Sequence, residues 1–331
     1  MQSATGSIRT ASFPSSTNDP DSSRMTKPRS PRTIDLKGGD GHRLVADVFE
    51  SGGPPVLFLH GAGQTRHAWR RSAEQLSSAG WTTYAIDHRG HGDSDWHPDG
   101  AYEFRDFAGD VGAVADQIAV RHGGCRPAAI GASLGGLSSL FLLGMSEREP
   151  PPLSALVLVD ITPRVDNEGV TKVRGFMRAH ARDGFASVDE AAAAVAAYLP
   201  HRPRPRSNEG LQRNLRLGED GRWRWHWDPR FLERRGIGDH DATLEGAMTR
   251  AARGLTIPVL LVRGSASELV NDEHVREFLD LVPHAQFVDV AGARHMVAGD
   301  KNDAFSDAIL GFFADHVGSR GEGVASGHPR S

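Results

Sequence analysis

The stretch Pro127-Ala128-Ala129-Ile130-Gly131-Ala132-Ser133-Leu134-Gly135-Gly136 decides how this chain is read. A short apolar run with strand character leads into Gly-x-Ser-x-Gly-Gly, and an apolar helix-like run from Leu134 to Met145 leads out. A serine between a buried strand and an apolar helix is the pattern of a nucleophile elbow. The turn is so tight that a side chain at Gly131 or Gly135 would collide with neighbouring backbone. The serine is then held in a strained conformation, with its hydroxyl lifted clear of the sheet.

Working outward, further apolar runs punctuate the chain. Arg43–Phe49 alternates imperfectly, as a half-buried strand does. Val56–Leu59, Thr83–Ile86, Ala128–Ile130, Leu156–Val159 and Val259–Val262 are continuous, as expected of strands buried on both faces, and Gln286–Val290 closes the series. Helical spacing falls between them: Val111, Val114, Ala115 and Ile118, then Val275, Phe278, Leu279 and Val282, and finally Phe305, Ile309, Phe312 and Phe313. This alternation predicts an α/β fold with a mostly parallel sheet covered on both faces.

The alternation fails over residues 162–256. That stretch holds helix-like pieces, a Pro/Arg run from Pro200 to Arg206 and Trp223, Trp225 and Trp227 at strand spacing, but no clear buried strand. It reads as a helical cap inserted into a core formed by residues 32–161 and 257–317, with the three tryptophans packing the cap. Residues 1–31, rich in Ser, Thr, Pro and Asp, read as a disordered segment, with Met25 as an alternative start. The Gly/Ser-rich tail 318–331 reads as loose. Arg202, Arg204 and Arg206 read as a solvated run.

Composition excludes several classes. A chain of 331 residues with a formal net charge of −4 carries no hint of nucleic-acid binding. No apolar run has the length of a membrane span. The single cysteine, Cys125, rules out an intramolecular disulfide, and a reducing, cytoplasmic setting is the simplest expectation. Nothing in the pattern sets an oligomeric state.

A serine hydroxyl needs a base to take its proton, and the base needs an orienting acid. His295, in the loop after the last strand, is the expected base. Glu268, in the loop after Val259–Val262, is the expected acid. Asp160, at the end of Leu156–Val159, is the alternative, with a plain reading as a turn-capping residue, and Asp272 reads as an N-terminal helix residue. The amides of Leu134 and Ala62 are the expected oxyanion donors, with His60 bracing the Ala62 loop. His88 and His91, in the polar run from Asp87 to Ser94, lack a strong third ligand, so the run reads as a hydrogen-bonded turn rather than a metal site.

With these residues assembled, the chain resembles the α/β-hydrolase superfamily from about Arg32 to Val317. The resemblance rests on His60-Gly61-Ala62-Gly63, Asp87 to Ser94, the elbow at Ser133, and Gly292 to Asp300. It implies an eight-stranded, mostly parallel sheet, a cap after the sixth strand, no cofactor, and hydrolysis of a small acyl substrate through an acyl-enzyme. Epoxide hydrolases and haloalkane dehalogenases share the layout but place an aspartate at the elbow, against Ser133. The epoxide-hydrolase proline is replaced here by Gly63, and lipases with a Gly-Gly-Gly-x loop match poorly. Carboxylesterases, lactonases, thioesterases, carbon–carbon bond hydrolases and cofactor-free perhydrolases remain open, as does a non-catalytic receptor on the same fold. The expected set is Ser133, Glu268 and His295, although similar sequences commonly show Ser-Asp where this chain has Ser267-Glu268.

Overall fold

The apolar runs become strands in the computed structural model, which describes residues 30–200, 207–233, 242–295 and 297–317. In chain order the strands are β1 (Arg32–Lys37), β2 (Arg43–Phe49), β3 (Pro55–Leu59), β4 (Thr82–Ile86), β5 (Ala128–Ala132), β6 (Ala155–Val159), β7 (Leu215–Leu217), β8 (Trp223–Trp225), β9 (Val259–Gly264) and β10 (Gln286–Val290). Eight of them form one sheet in the order β1-β2-β4-β3-β5-β6-β9-β10. The two pairings that involve β2 are antiparallel, and the rest are parallel. The fold is therefore the expected α/β-hydrolase arrangement, an eight-stranded, mostly parallel sheet between helices.

The helices are α1 (Arg70–Ser78), α2 (Phe104–Arg121), α3 (Leu134–Met145), α4 (Asn167–Ala179), α5 (Val188–Tyr198), α6 (Glu209–Gln212), α7 (Ala242–Arg253), α8 (Asp272–Leu281), α9 (Val297–Asp300) and α10 (Asn302–His316). On one face of the sheet, Val111, Val114 and Ile118 of α2 and Leu137 and Leu140 of α3 pack against Leu57, Ala129 and Leu158. On the other, Ala73 and Leu76 of α1 and Phe305, Ile309 and Phe313 of α10 pack against Phe58, Ile130 and Val157. Strand residues that alternate in sequence thus feed two cores, and each fully buried Leu or Phe contributes roughly 1.5–3 kcal/mol.

The chain between β6 and β9 differs from expectation in one respect. Besides helices it holds an antiparallel hairpin, with Leu215 opposite Trp225 and Leu217 opposite Trp223. Trp225 and Trp227 join Met177, Phe185 and Leu215 in a separate small core. β1 was also not anticipated. Its burial pattern leaves only Leu36 fully buried, so it lacks the apolar signal of an inner strand. Nearly all of segment 1–31, the run His201 to Arg206 and the tail 318–331 lie outside the described residues.

Candidate active site

Parallel strands bring their carboxyl ends to one edge of a sheet, where ligands bind in open α/β folds. Here the register places Leu59 of β3 beside Gly131 of β5, and Ala132 beside Val159 of β6. His60, Ser133 and Asp160 therefore leave the sheet at the same edge, each one residue beyond β3, β5 and β6 or at the turn that follows. Among the described residues only two non-glycines have positive φ, Ser133 (46°) and Asp160 (52°). Such backbone strain persists where surrounding structure over-determines it, and it clusters at functional sites. At the elbow that surrounding structure is visible. A Cβ on Gly131 would stand 2.4 Å from the Gly136 nitrogen, and one on Gly135 would stand 2.4 Å from the Leu59 oxygen.

The structure does not bring Glu268 to His295. Glu268 is exposed, and its Oε1 accepts from Arg294 at 2.6 Å. Asp160 lies beside His295 instead. This carboxylate is fully buried and accepts the Gly264 N–H on Oδ1 at 3.0 Å, and the Ser267 hydroxyl at 2.6 Å and His295 Nδ1–H at 2.9 Å on Oδ2. This placement has a local cause. The loop after β9 turns so that Ser267, not its neighbour Glu268, faces inward, and a buried carboxylate needs such donors to replace water. Gly264 lets the His295 loop cross close above β9, since a Cβ there would lie 2.5 Å from the Arg294 oxygen. With Nδ1–H given to Asp160, His295 keeps Nε2 as its basic nitrogen.

The loop after β3 carries the second set of expected residues. His60 donates from Nδ1 to the Gly61 carbonyl at 2.8 Å and accepts the His88 N–H on Nε2 at 3.1 Å. Asp87 binds the backbone N–H groups of Arg66 (2.7 Å) and Asp93 (2.9 Å) and pairs with the Arg66 guanidinium, so the Asp87–Ser94 run is a braced turn. Among the described residues neither Ala62 N–H nor Leu134 N–H has a protein acceptor. Both residues line the same cavity as Ser133 and His295.

Four histidines here are buried and held neutral. Burial pushes His60 down to about 4 and His91 to about 3, and pushes His88 and His226 well below the ordinary 6.5. In the unfolded chain each takes a proton near 6.5, so the unfolded state binds more protons below that pH. The stability these neutral rings confer is complete above about 6.5 and is lost as pH falls below it, for His60 and His91 by up to about 1.4 kcal/mol per pH unit until each ring's own value is reached. Denaturant unfolding at pH 7, 6 and 5 should show a steep loss; a flat profile would contradict the neutral assignment.

The cavity measures about 80 Å³. Its walls are largely apolar, with Phe104, Phe107 and Ile161 from the core and Val170, Val173, Met177, Phe231 and Leu232 from the chain between β6 and β9. Tyr102 also faces it, but its hydroxyl is donated to Asp228 at 2.7 Å. Arg174 of α4 is the one Arg or Lys among the lining residues. Away from the cavity, Asp40, His42 and Asp110 bring donor atoms within 4.8 Å of one another. The Arg89 guanidinium already sits on that group, 2.6 Å from Asp110, and supplies the positive charge a cation would bring.

Known proteins share this fold. Residues 54–301 match the model of the alpha/beta hydrolase fold family. The chain is 30% identical over 266 residues to an esterase of Mycobacterium tuberculosis, covering 78% of this chain and 82% of that one. It is 29% identical over 275 residues to the 2-(acetamidomethylene)succinate hydrolase of Mesorhizobium japonicum, covering 82% and 92%. A crystal structure of E-2-(acetamidomethylene)succinate hydrolase superposes with a TM-score of 0.72 at 26% identity, over 86% of this chain and 99% of that one. No described helix is long and apolar enough to cross a membrane. With its sheet, its elbow and its kin in agreement, this chain belongs to the α/β-hydrolase family and is a hydrolase.

Proposed function

We propose that the protein is a serine hydrolase that cleaves a carboxylic ester-type bond through an acyl-enzyme, with Ser133, His295 and Asp160 as its triad. The carrying observation is the 2.9 Å bond from His295 Nδ1 to the buried Asp160 carboxylate, beside a cavity that His295 shares with Ser133. Ser133 Oγ attacks the acyl carbon as His295 Nε2 takes its proton. The oxyanion forms against the Ala62 and Leu134 amides. The imidazolium, steadied by Asp160, returns the proton to the leaving group. Water then gives a proton to His295 and attacks the acyl carbon, and the imidazolium returns that proton to Ser133 Oγ as the acyl C–O bond breaks and the acid leaves. The segment from 162 to 256 acts as the cap that closes this site from water. A fluorophosphonate should add covalently to Ser133 in the full chain. A stable adduct elsewhere, or none, would favour a binding protein built on the fold.

Arg174 supports a narrower substrate class, an acyl group that carries a second, anionic carboxylate. Arg174 lines the cavity that Ser133 and His295 also line, a guanidinium there can pair with a carboxylate, and one relative acts on a succinate, which is a dicarboxylate. Arg174→Gln should lower kcat/KM for a succinate monoester about 10- to 100-fold and that for a butyrate ester of the same alcohol less than about 3-fold, as expected for losing one charged hydrogen bond. Equal losses on both esters would remove the carboxylate reading. Lactones and thioesters in the same panel separate the remaining acyl classes.

A further inference from the structure

The cap does more than wall the cavity. We propose that His226, carried by the cap, is a positioning residue for the oxyanion loop, tying Gly63 of that loop to Gly92 of the turn after β4. The proposal rests on the serine-hydrolase reading of the site.

Each peptide of the loop is held separately. The Gly61 carbonyl accepts from His60 Nδ1–H at 2.8 Å and from the Gln64 N–H at 3.1 Å. A trans peptide is planar, with its C=O and N–H pointing opposite ways, so these bonds aim the Ala62 N–H away from His60. The next peptide donates its Gly63 N–H to His91 Nε2 at 3.2 Å, and His91 is anchored by Nδ1–H to the Arg89 carbonyl at 3.0 Å. The third presents the Gly63 carbonyl to His226 Nε2–H at 3.3 Å, and His226 Nδ1 accepts the Gly92 N–H at 2.6 Å. A neutral imidazole accepts at one nitrogen and donates at the other, so one ring satisfies groups on two separate loops.

The core supplies His60, Gln64 and His91. His226 arrives from the far side of the cap hairpin and is 2% exposed. Its surroundings are fastened to the same loops. His226 N–H donates to the Asn214 carbonyl at 3.0 Å, Asn214 Oδ1 accepts from the Thr65 hydroxyl at 3.2 Å, and the Asp228 N–H donates to the Gly90 carbonyl at 2.9 Å. Gly63 lies so close beneath the cap that a Cβ would stand 2.9 Å from Met177 Cε. Seating the cap and completing the oxyanion loop are thus one event. The consequence falls on the transition state, because Ala62 N–H is needed where the oxyanion forms, not where the ground-state ester rests.

The test uses the full chain, p-nitrophenyl acetate as substrate and phenylboronic acid as a tetrahedral mimic on Ser133. For His226→Ala, kcat should fall about 10- to 100-fold with KM within about 2-fold, the signature of an interaction made in the transition state. Affinity for the boronic acid should fall by the same factor, and affinity for product acetate should hold. His226→Gln retains an amide donor and acceptor at similar reach and should recover part of the loss; it also carries the test if the alanine variant does not fold. Unchanged kcat overturns the inference, and so does a uniform loss of kcat, product affinity and melting temperature, which marks a merely structural histidine. Turnover that survives Ser133→Ala would instead overturn the underlying serine-hydrolase reading.

Discussion

Ser133→Ala should lower acyl-ester turnover about 10⁵- to 10⁶-fold, the scale on which removal of a triad nucleophile acts. The residue that remains has no Oγ to form the acyl-enzyme, so only the oxyanion donors and substrate binding persist. The fold should survive. Ser133 is half-buried and sits at φ 46°. Alanine meets the same backbone strain as serine there, so melting should move by only about 1 kcal/mol. Two readouts separate chemistry from folding, the fluorophosphonate adduct and the denaturant midpoint. The adduct should vanish while the midpoint stays. Turnover within tenfold of wild type would end the assignment of Ser133.

The second large effect is a contrast between two carboxylates. Asp160→Asn should lower kcat about 10³- to 10⁴-fold, because an amide at that point no longer enforces the Nδ1–H tautomer of His295 or balances the imidazolium. It also sets an NH₂ group among three donors, Gly264 N–H, Ser267 Oγ and His295 Nδ1. Some stability should be lost with it, since a buried donor is left facing a donor. Glu268→Gln should change kcat by less than about 3-fold. It loses only a partly exposed pair with Arg294, and such pairs contribute about 0–1 kcal/mol. Steady-state kinetics of both variants on one ester decides the matter. A larger loss at Glu268 than at Asp160 would restore the acid that the loop after β9 suggested.

That contrast also marks where local sequence stops being informative. The elbow at Ser133 was legible because it is a local object: strand, glycine, serine, glycine and helix lie within a few residues. The place of His295 beside that elbow was legible for a similar reason, as a histidine between the last strand and the last helices. The acid was not. Asp160 and Glu268 both follow the carboxyl ends of neighbouring parallel strands, and strand ends alone do not say which side chain turns inward. One residue of loop geometry decides it, since Ser267 faces Asp160 and Glu268 faces Arg294. β1 was missed because an edge strand with one buried residue carries little periodic signal. The hairpin of β7 and β8 was missed because three-residue strands are shorter than any reliable run. His226 had no local signature at all; its meaning lies in Gly63 and Gly92, both more than 130 positions away in the chain.

By itself the sequence determined the layering of the core and the elbow at Ser133, because the period of buried residues and the steric demands of a tight turn are set by neighbours along the chain. Only the tertiary structure decided which carboxylate meets His295, how the loop after β3 is held, and that His226 reaches it. Those depend on which polar groups, distant in sequence, meet away from water, where each buried donor or acceptor must find a partner.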